Sequence, residues 1–250
     1  MSIITLTTDF GTRDGFVGAI KGVIARLGGD VLVVDLAHDI PRHDIAHGAW
    51  VVATACREFP TGTVHLVVVD PGVGGARKDV IVRAHDMYFV GPDNGLFGLL
   101  AVEQAWAITN PAMTAPMVSP TFHGRDVFAP VAATLARGRH PDTIGPRIEL
   151  AAQPPWGPRG SGEGRVIHID HYGNLITDLP ADEAGAAIAI AGRQLPIART
   201  YEDVGEGELL AYIGSARTIE IAVRNGRADR ALAATRGIAV TPVASVEPYR

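Results

Sequence analysis

Apolar positions in the first part of the chain follow two alternating rhythms. Ile3–Thr7, Val31–Leu36, His65–Val69, Val80–Ala84 and Met87–Val90 are short apolar or β-branched runs that predict buried strands. Between the first two, Phe16, Ile20, Val23, Ile24 and Leu27 recur at helical spacing, and Gly28-Gly29 supplies a stop. A second helical stretch runs from the good N-cap Asp44 to Phe59, just before Pro60. Arg125–Arg137 predicts another helix, closed by Gly138. Strands alternating with helices predict an α/β N-terminal domain with a mainly parallel sheet flanked by helices.

The pattern changes near Ala151. Turn-forming residues crowd Gln153–Gly162, which reads as a linker. Beyond it the apolar runs are short: Val166–Asp170, Ala187–Ala191, Leu209–Ile213, Thr218–Val223 and Ile238–Thr241. Short strands joined by close turns predict a smaller, mostly antiparallel β (barrel-like) C-terminal domain. The expected division is 1–152 for the α/β domain, 153–164 for the linker and 165–250 for the β-rich domain.

Composition narrows the classes of function. At 250 residues and 47% hydrophobic, the chain can bury a sizeable core in each domain. The net charge is -5, with no block of like charges, so neither nucleic acid nor an anionic membrane is an expected partner. No apolar run approaches the roughly 18 residues of a membrane span, and the start shows no cleavable leader. A cytoplasmic protein is therefore expected. Cys56 sits in an apolar, helix-like run and reads as a buried small hydrophobe. CxxC and HExxH spacings are missing from the sequence, so no metal is expected.

Four segments carry candidate chemistry. Val67–Asp70 runs into Pro71–Ala76 and then Arg77, placing an acid and a base around a glycine-rich turn where strands end and ligands bind in open α/β sheets. That pair is either a site or a plain salt bridge across a tight connection. Asp9, just past the first strand, can hold paired ribose hydroxyls; the same segment can instead be a helix entry capped by Asp14. His123, in Thr121–Asp126, can act as acid, base or orienting group, or simply cap a helix. Asn174 follows a strand in Ile169–Asn174 and offers the donor and acceptor that read a nucleobase edge, or else belongs to an ordinary hairpin turn.

Together these segments resemble the S-adenosylmethionine hydroxide adenosyltransferases, relatives of the fluorinating and chlorinating enzymes. The resemblance spans essentially the whole chain through TDFGTRDGFVGAIKGVI, DIPRHDI, FPTGTVHLVVVDPGVGGAR, FVGPDNGL, TFHGRDVFAP, IDHYGNLITDLP and GSARTIEIAVRNG. It implies hydrolysis of S-adenosyl-L-methionine to adenosine and L-methionine by attack of water or hydroxide at ribose C5′, with no cofactor. It also implies that 1–152 is the catalytic domain, with Asp70, Arg77 and His123 around the nucleophilic water. Asp9 is implied to bind the ribose, Asp170 the methionine ammonium and Ser215 its carboxylate. Asn174 is implied to meet the adenine edge and Tyr201 to stack on it. After the serine this chain has Ala216-Arg217 where a second small polar residue or arginine is common, which weakens the carboxylate assignment. Members form homotrimers with sites between subunits, and the same is expected here. The alternatives are a halide-dependent adenosyltransferase, against which Asp70 and His123 argue, and a non-catalytic nucleoside-binding or S-adenosylmethionine-binding protein. A metal-dependent hydrolase built on Asp9, Asp70 and His123 would need a more compact ligand motif.

Overall fold

The computed structural model describes residues 1–153 and 155–243; Pro154 of the expected linker and the tail 244–250 of the expected second domain lie outside them. The chain forms two compact units, Met1–Pro155 and a second beginning at Trp156.

Unit 1 is built on a seven-stranded sheet. Its strands are β1 (Ser2–Thr8), β2 (Val31–Ala37), β3 (Val64–Val68), β4 (Asp79–Ala84), β5 (Met87–Pro92), β6 (Gln104–Ala107) and β7 (Arg147–Ile148), in the order β2-β1-β3-β5-β4-β6-β7. The first four in that order are parallel, and the sheet continues antiparallel through β4, β6 and β7. The expected parallel core with flanking helices is present. The short strands β6 and β7 were not expected, because four residues with two alanines and an isolated pair carry little pattern.

The run around β3 is apolar throughout because both of its faces are covered. Leu66 and Val68 pack with Ile4 and Leu6 of β1, against α1 (Phe16–Leu27) and α3 (Ala129–Ala136). Val67 and Val69 point the other way, into a cluster with Phe89 and with Val52 of α2 (Ile45–Ala55). Asp44 caps α2 by accepting from the His47 N–H at 3.0 Å. The expected helix to Phe59 is shorter: α2 ends at Ala55, and Cys56–Glu58 tightens into a 3-10 turn. Cys56 is buried and free. The helix expected from Arg125 starts later as well, since Gly124–Phe128 is a π-helical turn leading into α3. Asp14 does not cap α1; Gly15 holds the N-cap position without a side-chain bond.

Unit 2 is a closed barrel, mostly antiparallel, of β8 (Gly164–Ile169), β9 (Leu175–Pro180), β10 (Ala187–Ile190), β11 (Arg193–Ala198), β12 (Leu209–Ile213), β13 (Thr218–Val223) and β14 (Ala239–Val243). Among the described strand pairs of this barrel, β11–β12 runs parallel and the others antiparallel. Val166, Leu175, Leu179, Ile188, Ile219, Ile221 and Val240 fill its interior. A short helix α4 (Ala228–Ala231) packs beside β13. Among the described residues no helix is long and apolar enough to cross a membrane.

Candidate active site

The parallel strands β1 and β3 end side by side, with Thr8 in register with Val68, so Asp9 and Asp70 leave the same sheet edge. Asp9 turns its carboxylate back to accept the His43 N–H at 2.8 Å. After Asp70 the glycine-rich turn reverses the chain. Arg77 returns to grip Asp70 with Nε to Oδ1 at 3.1 Å and Nη2 to Oδ2 at 2.5 Å. The glycines thus serve a turn that closes a fork-to-carboxylate pair.

Two further groups complete the cluster. Asp79 Oδ1 accepts a very short hydrogen bond from Arg77 Nη1 and lies 3.1 Å from His123 Nδ1. The same His123 nitrogen is 3.0 Å from Arg77 Nη2. Side-chain exposures of 4% for Asp70, 10% for Arg77, 17% for Asp79 and 14% for His123 make this a largely desolvated set. Burial works against the Arg77 charge, but the hydrogen bond to Asp70 and the charges of Asp79 and Asp70 outweigh it, so Arg77 holds its proton more tightly than a free arginine. The guanidinium also lies over the Phe128 ring at 5.8 Å.

His123 directly precedes the π-helical turn, a distortion that often marks functional positions. Phe10, Phe16 and Phe122 meet edge to face beside it, at centroid separations of 5.4–6.1 Å. These three rings, with Ser119, Thr121 and Arg125, line a cavity of about 500 Å³.

In unit 2, Asp170 and Asn174 form one knot: Oδ1 accepts the Asn174 backbone N–H and Oδ2 accepts its Nδ2, both at 2.9 Å. Asn174 Nδ2 also reaches the Tyr201 hydroxyl at 3.2 Å, which pairs with the Tyr212 hydroxyl at 2.9 Å. Tyr212 donates to Glu220 Oε2 at 2.6 Å. Burial raises the Glu220 carboxyl; the Tyr212 hydrogen bond opposes that rise and the Asp170 charge adds to it. Burial together with Glu220 and Tyr201 pushes the Tyr212 hydroxyl well above its ordinary range. Asn174, Tyr201, Tyr172, Glu202, Arg224 and Arg227 line a cavity of about 770 Å³. Ser215 is exposed in the β12–β13 turn next to Gly214, which packs on Glu220.

The structure therefore brings Asp70, Arg77 and His123 together in unit 1, and Asp170, Asn174 and Tyr201 together in unit 2. Sequence reasoning missed Asp79, Tyr212 and Glu220. A signal existed for the first: Arg77 and Asp79 are two residues apart, which puts their side chains on one side of an extended chain. Among the described residues no group of three or more potential metal ligands gathers.

Comparison with known proteins agrees in both units. Residues 4–145 match the SAM hydroxide adenosyltransferase N-terminal domain, and residues 164–241 match the corresponding C-terminal domain. A protein of Thermus thermophilus named (R)-S-adenosyl-L-methionine hydrolase is 39% identical, over 96% of this chain and 99% of its own. A fluorinase of Actinopolyspora mzabensis is 26% identical, over 88% and 90% respectively. The crystal structure of an uncharacterized conserved protein from Thermotoga maritima superposes with a TM-score of 0.87 at 32% identity, covering 95% of this chain and 98% of that one. The chain belongs to the SAM hydroxide adenosyltransferase family.

Proposed function

We propose that this protein hydrolyses S-adenosyl-L-methionine to adenosine and L-methionine, without a cofactor. The water oxygen attacks ribose C5′, the C5′–S bond breaks with its electron pair going to sulfur, and the water proton passes to a base of the Asp70–Arg77–His123 cluster. A sulfonium leaves as a neutral thioether, so no acid is needed on that side. The demand is a nucleophile held in line with the C5′–S bond, where positioning supplies several kcal/mol.

The observation that carries the choice of water is the charge around Arg77. Its guanidinium is already gripped by two carboxylates, Asp70 and Asp79. A halide ion would meet a net negative cluster, whereas neutral water is attracted and can be deprotonated in place. Identity of 39% with a protein named as the hydrolase, against 26% with a fluorinase, supports the same choice.

The binding roles belong to the same proposal. Asp9 takes the ribose hydroxyls, Asn174 the adenine edge and Tyr201 the adenine face. Asp170 takes the methionine ammonium and Ser215 its carboxylate, with Arg217 near enough in sequence to assist. A cytoplasmic homotrimer is the proposed form, and light scattering should give a mass three times that of the chain.

The decisive experiment incubates the purified protein with S-adenosyl-L-methionine in buffer containing chelator, following adenosine and methionine by chromatography. Labelled water should place its oxygen in the adenosine 5′-hydroxyl. Absence of turnover above background overturns the proposal, and a halogenated adenosine formed in chloride buffer favours the halide reaction instead.

A further inference from the structure

We propose that Asp79 is a positioning residue that holds His123 as the Nδ1–H tautomer, so that the Nε2 lone pair faces the attacking water as its base. The inference rests on the hydrolase reading for the role of the water, but not for the tautomer itself.

The placement of Asp79 follows from the reversal of β4. That strand is antiparallel to β5, which is parallel to β3 and β1. The first residue of β4 therefore stands at the edge where β1, β3 and β5 end. Asp79 pairs there with Pro92, the last residue of β5, and its own carbonyl is held by the Ile108 N–H at 2.8 Å. The backbone carrying this carboxylate is consequently fixed by the sheet, while its side chain reaches the Arg77–His123 contact.

At that contact one proton has two possible arrangements. Arginine offers only N–H donors and an ionised aspartate only acceptors. With one proton on the ring, His123 Nδ1 either accepts from Arg77 Nη2 at 3.0 Å or donates to Asp79 Oδ1 at 3.1 Å. The charge of the cluster decides between them. Asp70 and Asp79 together carry one more negative charge than Arg77 neutralises, and the surplus sits beside the ring. Arg77 is already engaged by Asp70 through Nε and Nη2 and by Asp79 through Nη1. A ring N–H pointing at Asp79 is drawn toward that surplus in a poorly solvated setting, where such attraction is strong.

The hydrogen-bonding partners of His123 among the described residues all lie at Nδ1. Nε2 is thus the ring nitrogen left to meet water. When Nε2 takes the water proton the ring becomes positive, and the cluster of two carboxylates, one guanidinium and one imidazolium becomes neutral. Asp79 then balances a charge that appears only during the reaction, the kind of interaction that lowers a barrier without tightening ground-state binding.

Nitrogen-15 NMR of protein labelled at the histidine rings tests this directly, with the His123 signals assigned by their loss in His123→Gln. Wild-type protein, at a pH where the ring is neutral, should show Nδ1 protonated and Nε2 bare. In Asp79→Ala the ring should switch to the Nε2–H form, with Nδ1 accepting from Arg77. Asp79→Asn keeps an acceptor oxygen but removes the surplus charge, so it should show a mixture of the two tautomers, between wild type and Asp79→Ala. In turnover, Asp79→Ala should lower kcat by about 100-fold or more, with KM within about threefold, and Asp79→Asn should recover part of the loss. An Nε2–H ring in the wild type overturns the proposal with no variant needed. So does an unchanged tautomer in a folded Asp79→Ala, or a switched tautomer with unchanged kcat. Failure of the wild type to hydrolyse S-adenosyl-L-methionine would sink the hydrolase reading while leaving the tautomer result to stand or fall alone.

Discussion

Arg77 and Asp70 face each other as fork and carboxylate, with parallel contacts of 3.1 and 2.5 Å, and both are almost fully buried. They stand seven positions apart in sequence, and the turn between them brings them together. A lysine supplies one flexible ammonium and cannot make both contacts while also bonding Asp79. Arg77→Lys should therefore lose at least tenfold in kcat. Arg77→Met should go further, because it leaves two carboxylates buried without compensation. Removing one partner of such a set costs about 3–5 kcal/mol. Urea unfolding of Arg77→Met measures that cost, and a loss below about 1 kcal/mol would contradict it.

Gly74 makes the turn possible in a second way. Its φ is +73°, and a Cβ added there would lie 2.3 Å from the Pro120 carbonyl oxygen. Pro120 belongs to the loop that leads to His123 three residues later. Gly74→Ala thus both strains the turn, by about 1–2 kcal/mol, and pushes that loop away. We expect a drop in kcat larger than in Gly62→Ala, where φ is +82° but nothing lies within 4 Å. Equal losses in the two variants would show that the contact with Pro120 does not matter to the site.

Legibility in the sequence followed locality. Asp70 and Arg77 could be read because one strand and one turn hold both. The continuous apolar run of β3 correctly signalled a strand covered on two faces. Asp79 was hidden because its importance depends on β4 running backwards, which the hydrophobic pattern does not encode. The strand β11 was hidden by its own composition: Pro196 interrupts it, and only Leu195 among its six residues is buried. The π-helical turn after His123 has no sequence signature at all, since Gly124–Phe128 continues smoothly into the helical pattern of α3.

In unit 2 the Tyr201 hydroxyl is 3.2 Å from Asn174 Nδ2 and 2.9 Å from the Tyr212 hydroxyl. If Asn174 and Tyr201 hold the adenine, these bonds orient the binding groups and not the reacting atoms. Tyr201→Phe should then raise KM several-fold and leave kcat within about twofold, the signature of lost uniform binding. Tyr201→Ala, which also removes the ring face, should raise KM further. A fall in kcat at unchanged KM would assign Tyr201 to the chemical step and reject the binding role.

His65 supplies a pH dependence of stability unrelated to the active cluster. The ring is fully buried, stacked on Phe89 at 4.7 Å, with Nδ1 bonded to the Thr5 hydroxyl at 2.7 Å. Burial disfavours its charged form and lowers its pKa from the ordinary 6.5 to about 4. Between those values the unfolded chain takes up a proton that the folded protein refuses. The folded state therefore holds its full advantage from this group above about pH 6.5 and loses it progressively as pH falls toward 4. The difference amounts to about 3 kcal/mol. Urea titrations at a series of pH values should show stability declining across that window. His65→Gln keeps a group able to bond Thr5 but cannot titrate, so its stability should be flatter over the same range, even if lower at neutral pH. A decline as steep in His65→Gln as in the wild type would trace the acid sensitivity to other groups.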